Sequence, residues 1–384
     1  MLLGQQFIFG PISSGALRFY APAKEASELP ALFSALGYCV GWTITAATVM
    51  SVSIGVFLWS YGFQHWALLI QEAFLLATVN GLNGIFDSLQ NAARRRRVVA
   101  THQALAAWLR PLSALCFLGL LGVDSVNAVA GYALAALVVL GLQVYSVRST
   151  LTGQVSILWA IRKEPTTRCW LTRVRSYALP FAGWGGFTFA QMASDRWALK
   201  LFKGSSDVGQ YQALFQLGYY PIALASQALD QLTQPLLFQR AGNGTDPMRI
   251  RTARKLTDVV VAGCLALTVI ATGLAAVGHT VIVGTLADRA YGDGSYLLPV
   301  LVFGGGLFAS GQAAAGRHLA AGSPRSLLRP KILSAVVAIP VNIIAARFWG
   351  VAGVAYSVAL FGLSYFLMML CASRQKGGRA LEPQ

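Results

Sequence analysis

Long, mostly apolar stretches constrain this chain more than any other feature. An α-helix needs about 20 apolar residues to cross the hydrocarbon core of a bilayer. Eleven such stretches follow one another, near 3–20, 36–59, 66–90, 104–122, 125–147, 178–201, 208–238, 256–277, 296–316, 329–348 and 351–371. Only 11% of the 384 residues are charged, against roughly 25% in a soluble domain. A soluble enzyme, a disordered chain and a collagen are excluded on that ground. A membrane β-barrel would show segments of about ten residues alternating with period two, whereas these runs are longer and mostly apolar on all sides. Pro11, Pro180, Pro221, Pro235, Pro299 and Pro340 fall inside spans, where neighbouring helices can satisfy the freed backbone groups. The expected fold is an all-α polytopic membrane protein with about eleven transmembrane helices.

The basic residues set the expected orientation. Of 30 Lys and Arg, 23 fall in alternate connections, in the groups around Lys24, Arg94–Arg97, 148–175, 240–255, 317–331 and 374–379. The intervening connections hold only Lys203 and Arg289. Positive-inside bias then places the first group, and the C-terminus, in the cytoplasm. The net charge of +16 is therefore a membrane signature, and no nucleic-acid partner is expected. Cys39, Cys116, Cys169, Cys264 and Cys371 are scattered singly, with no spacing for zinc or disulfides.

An internal similarity divides the chain. Residues 84–95 (GIFDSLQNAARR) match residues 306–317 (GLFASGQAAAGR) at seven of twelve positions. Both segments end a span at a cytoplasmic exit, six spans apart, as in a parallel six-plus-six repeat. Three spans precede the match in the second half and two in the first. Charge parity and repeat counting both expect one further helix upstream of Met1, lost by truncation or by a misassigned start codon. The expected organisation is an N-terminal lobe over 1–147, a basic cytoplasmic linker over 148–176, a C-terminal lobe over 177–372 and a cytoplasmic tail over 373–384. The linker, with Trp159 and Trp170 among its bases, reads either as an amphipathic helix on anionic lipid heads or as an ordinary positive-inside connection.

Ser194-Asp195-Arg196-Trp197-Ala198-Leu199-Lys200, Gly209-Gln210-Tyr211 and Leu217-Gly218-Tyr219-Tyr220-Pro221 resemble the bacterial oligosaccharide flippases. These are the lipopolysaccharide and O-antigen exporters of the MATE-like (multidrug/oligosaccharidyl-lipid/polysaccharide) superfamily. Gly10-Pro11, Arg18 to Ala23, and Gln90 to Arg94 resemble the same family's second and fourth helices. The resemblance covers essentially the whole chain and departs from the family at the first helix. It implies two six-helix lobes around a central cavity, working by alternating access in the bacterial inner membrane. The implied substrate is an oligosaccharide on a polyprenyl diphosphate. Membrane lipids and a polysaccharide polymerase or other biosynthetic proteins are the implied partners.

A diphosphate calls for cations, and a charge inside the bilayer is costly enough to be functional by default. The candidates are Arg18, Arg110, Arg196 and Lys200, the last two sharing a helix face. An ion pair at the outer interface, with the lysine snorkelling, is the plainer reading of that pair. Gln216, Tyr220, Gln227, Asp230, Gln231 and Gln234 form one polar stripe on span 208–238. It suits either a hydrated sugar path or interhelical packing. Glu72, Asp87, Asp195, Asp230 and Asp258 are the acids available for ion coupling, with Asp195, Glu72 and Asp230 the candidates; Asp87, Asp230 and Asp258 fall near the cytoplasmic boundary, where a solvated helix end is the plainer reading. No Asp-x-Asp pair, phosphate loop or His-Glu-x-x-His motif is present, so a transporter without cofactor or metal is expected rather than an enzyme. Gly304-Gly305-Gly306 reads as close helix packing or a hinge. Two other readings remain: a cation-coupled exporter of small molecules, which an acid-dominated cavity would favour, and a membrane polysaccharide polymerase or ligase.

Overall fold

The computed structural model describes residues 9–150, 165–242, 246–287, 289–320 and 325–375. All regular structure among them is helical. The helices are α1 (Gly10–Glu25), α2 (Leu29–Ser60), α3 (Gln64–Ala92), α4 (Arg96–Leu121), α5 (Ser125–Thr150), α6 (Pro165–Phe202), α7 (Ser205–Ala241), α8 (Pro247–Leu286), α9 (Leu298–Ala320) and α10 (Arg325–Gln375), with a 3-10 segment (Arg289–Leu297) before α9.

The last of these is two helices. Gly350 leaves helical geometry with φ +58°, and the arms 325–349 and 351–375 fold back on each other. Asn342 in the first arm accepts a hydrogen bond from Ser357 in the second, and the Lys331 ammonium sits 5.1 Å from the Tyr365 ring. The expected spans 329–348 and 351–371 are these two arms. Each of the other nine expected spans falls on its own helix, and the differences are at the ends. Span 3–20 begins in residues outside the described ones, and its helix continues to Glu25. Span 178–201 is the later part of a 38-residue helix. The basic connection expected over 148–176 is thus helical from Pro165 onward; residues 151–164, Trp159 among them, lie outside the described ones, as does the tail from 376. The connection expected over 278–295 is helix α8 to Leu286 and then mostly 3-10.

The chain forms two compact units, Met1–Gly185 and Gly186–Gln384. In the first, α3 is the central helix and touches α1, α2, α4 and α5. Helix α1 buries Ile12, Ala16, Tyr20 and Ala23, a stripe at helical spacing, in a core with Leu32, Phe33 and Leu36 of α2 and Ile85 and Leu89 of α3. Trp170 and Val174 of α6 complete that core. In the second unit α9 is central, touching α7, α8 and α10. The repeated segments 84–95 and 306–317 therefore sit at the ends of the two central helices.

Small residues let α9 take that place. A Cβ on Gly304 would stand 2.9 Å from the backbone of Ala359, and one on Gly305 3.0 Å from Tyr219. The glycine run is a close helix contact, as small-residue interfaces are in membranes. In the first unit Gly131 of α5 has the same role, its absent Cβ 2.7 Å from the Ala114 backbone of α4.

Candidate functional site

Among the described residues, seven helical segments are long and apolar enough to cross a membrane: α2, α3, α4, α5, α8, α9 with its 3-10 lead, and α10. Outside that group are α1, of which 16 residues are described, and α6 and α7, of 38 and 37 residues. These three helices carry most of the candidate residues. Polar groups at membrane depth face protein or water rather than lipid.

In the first unit Arg18 on α1 is almost fully enclosed, at 1% exposure. Its guanidinium lies 5.9 Å from the ring of Phe19, which packs edge-on against Trp170 and Tyr177. Arg110 of α4 is elsewhere: its side chain donates to Asn80 of α3 at 2.8 Å. Asp87 is not a solvated helix end. It accepts from Gln103 of α4 at 3.2 Å and from Gln143 of α5 at 2.8 Å, tying three helices together. Glu72 is half-buried, and one of its carboxylate oxygens is enclosed with no hydrogen-bond partner among the described residues.

In the second unit the candidates separate into two groups. Near the α6–α7 turn, Asp195 is buried and accepts from the Tyr211 hydroxyl at 2.6 Å and from the Arg196 backbone N–H at 2.7 Å. The Arg196 side chain makes its hydrogen bonds to other groups. It donates to Gln212 and to the Met192 carbonyl, and lies 5.1 Å from the Phe215 ring. Lys200, one turn on, is exposed. The shared face of Arg196 and Lys200 thus does not make a pair of enclosed cations. Further along the same helices, Asp230 and Gln234 of α7 line a cavity of about 20 Å³ with Thr257 of α8 and Gln312 of α9, room for a single water. Gln231 is half-buried, while Gln216, Tyr220 and Gln227 are exposed.

Gln312 leads to a residue that the charge pattern alone assigns to a loop. Lys331 is buried in the first arm of α10, donating to Gln312 at 2.7 Å; Tyr365 of the second arm donates to the same Gln312 oxygen at 2.8 Å. Among the described residues the buried charged side chains, histidines aside, are Arg18, Lys331 and Asp195. Two are cations, and the acid is held by a phenol.

No protein-family model matches the chain, and no curated protein matches it in sequence. Solved structures do match in shape. The Vibrio cholerae MATE transporter VcmN in its bent form superposes with a TM-score of 0.75 at 13% identity, over 99% of this chain and 86% of that one. The fold is that of the MATE transporters. An outward-facing multidrug resistance MATE transporter of the MOP superfamily gives 0.72 at 14% identity, covering 98% of this chain and 84% of the other. A MOP superfamily transporter from Pyrococcus furiosus gives 0.73 at 13% identity, over 99% and 86%. This MATE-like chain is accordingly a multi-pass membrane protein, and its identities to these proteins carry the fold alone.

Proposed function

We propose that this chain translocates a polyprenyl-diphosphate-linked oligosaccharide, such as an O-antigen, capsule or exopolysaccharide repeat unit. The movement runs from the cytoplasmic to the periplasmic leaflet of the bacterial inner membrane by alternating access. The observation that carries this reading is the sign of the buried charge, with Arg18 and Lys331 enclosed. Arginine suits a diphosphate because its planar fork makes bidentate, charge-assisted bonds. Gln231, Gln234 and Gln312 supply neutral donors and acceptors of the kind that sugar hydroxyls use. In the Pyrococcus furiosus neighbour a reverse polarity of the binding pocket suggests a different function for that protein.

The test is restoration of surface polysaccharide in a flippase-null strain, with membrane insertion verified for each variant. The chain is expected to restore polymer, and Arg18→Gln to lower it at least about tenfold, the loss expected for one charged hydrogen bond. An inserted chain that restores no polymer and moves no fluorescent polyprenyl-diphosphate sugar in proteoliposomes would overturn the reading. A cation-coupled small-molecule exporter is the second reading, and the enclosed Asp195–Tyr211 pair favours it. Proton-driven dye efflux abolished by Asp195→Asn would select it.

A further inference from the structure

A second concentration of positive charge lies in the first unit, where the α1–α2 turn meets the α3–α4 turn. A cavity of about 440 Å³ opens there, lined by Tyr20 and Lys24 of α1, Ser27 in the turn, and Arg95 at the start of α4. A smaller cavity adjoins it, sharing Tyr20 and Arg95 and reaching inward to Gln90 of α3. Gln90 is buried at 3% exposure, and both its amide nitrogen and its amide oxygen have no hydrogen-bond partner among the described residues. Buried amides are nearly always satisfied, so one open at both atoms beside a cavity marks a place for a bound group or water.

The electrostatics give that group a sign. Leu29 and Pro30, the first residues of the 32-residue α2, also line the larger cavity, so the positive end of a long helix dipole faces it. The nearby carboxylate of Glu28 is engaged elsewhere, accepting from the Trp170 indole at 2.8 Å. Among the described residues no acid pairs with Lys24 or Arg95. The corresponding glutamine of the repeat, Gln312, is closed by Lys331 and Tyr365, whereas Gln90 has no such protein partners. Basic pockets at the ends of membrane helices are places where phosphorylated head groups settle.

We propose that this cavity binds a phosphate-bearing anion, the head group of an acidic lipid or a soluble phosphate ester, held by Lys24 and Arg95 with the Gln90 amide at its inner wall. The site lies within one unit and does not rest on the proposed cargo. The test uses the purified full chain with two probes: pyrophosphate in solution, by calorimetry, and phosphatidylglycerol in phosphatidylcholine nanodiscs, by native mass spectrometry. Lys24→Gln and Arg95→Gln are each expected to weaken binding about tenfold, one charged contact being lost in each. Gln90→Glu, which brings a carboxylate to the inner wall, is expected to abolish it, and Lys255→Gln on exposed α8 to leave it unchanged. Loss confined to the lipid probe identifies a head group as the ligand, and loss confined to pyrophosphate identifies a soluble ester. Lys24→Gln and Arg95→Gln proteins that bind both probes like the parent, or no binding of either probe by the parent, would overturn the proposal. Lys24 is exposed, so its variant keeps the test decisive if Gln90→Glu fails to fold.

Discussion

The Asp195–Tyr211 contact shows how a single residue in the second unit is held. A carboxylate at 4% exposure needs donors, and the Tyr211 hydroxyl at 2.6 Å is its side-chain donor. Tyr211→Phe removes that donor and leaves the acid buried, so a loss of about 1–3 kcal/mol is expected. It should be visible as a lowered midpoint in thermal unfolding of the detergent-solubilised protein. Adding Asp195→Asn to Tyr211→Phe should recover part of that loss, because a neutral amide is cheaper to bury than a carboxylate; a fully additive double variant would show that the two side chains do not interact. Asp195 was legible in sequence because an acid stands out in an apolar span. Tyr211, Gln312 and Lys331 were harder to read. Lys331 follows Arg325 and Arg329 in the chain and so reads as one more loop charge. Its helical register gave the available signal: Ser334, Ala335, Ala338 and Asn342 recur on its face, and all are buried. Small residues at such spacing mark a helix contact, and a lysine on that stripe is carried inside.

At the scale of the helix, two glycines impose different constraints and predict different consequences. Gly350 has φ +58°, yet a Cβ there would meet only the Lys203 side chain at 3.5 Å and the Asp207 carboxylate at 3.8 Å, both ordinary contacts. Gly350→Ala should therefore cost backbone strain alone, about 1–3 kcal/mol for a φ +58°, ψ −138° conformation that glycine adopts and other residues rarely do, without disturbing the fold of either arm. Gly304 is helical, and its Cβ would press into the Ala359 backbone at 2.9 Å. That backbone belongs to another helix and cannot rotate aside, so Gly304→Ala should force α9 and α10 apart and cost about 1–3 kcal/mol. Unfolding midpoints for the two variants, with proteolysis to report loosened packing, separate the mechanisms: only Gly304→Ala should raise the cleavage rate within α9 and α10. The helices themselves were legible because apolar length is a strong signal. Their ends were less so, since α6 and α8 continue well past the apolar stretch as amphipathic or polar turns. Apolar length reports where a bilayer could be, whereas capping and tertiary contacts decide where a helix stops. Asp246 accepting from the Met248 and Arg249 N–H groups at the start of α8 is one such cap.

For the molecule as a whole, sidedness is the property that sequence arithmetic reaches furthest. Connections with few bases alternate with basic ones, and within each unit those expected on one side are found together. In the first unit the α2–α3 and α4–α5 turns meet, with Ser125 bonded to His65 at 3.3 Å and Asp124 3.8 Å from the same ring. In the second, Gly350 lies beside Lys203 and Asp207 of the α6–α7 turn. At the opposite end of that unit Arg317 pairs with Asp258, and Ser326 with His318. Helix direction alone requires the alternation; the charge bias predicts which face is cytoplasmic. Single cysteines placed at Asp124 and at Arg251, both in a background stripped of the five native cysteines, should report it. In intact cells a membrane-impermeant maleimide is expected to label Asp124→Cys and to leave Arg251→Cys unlabelled until the cells are lysed. The reverse pattern would mean that the bases face outward and that positive-inside bias does not govern this chain. Labelling of both sites in intact cells would mean that the chain inserts in two orientations, and Arg94–Arg97, the densest basic run, would then be the first place to add or remove charge.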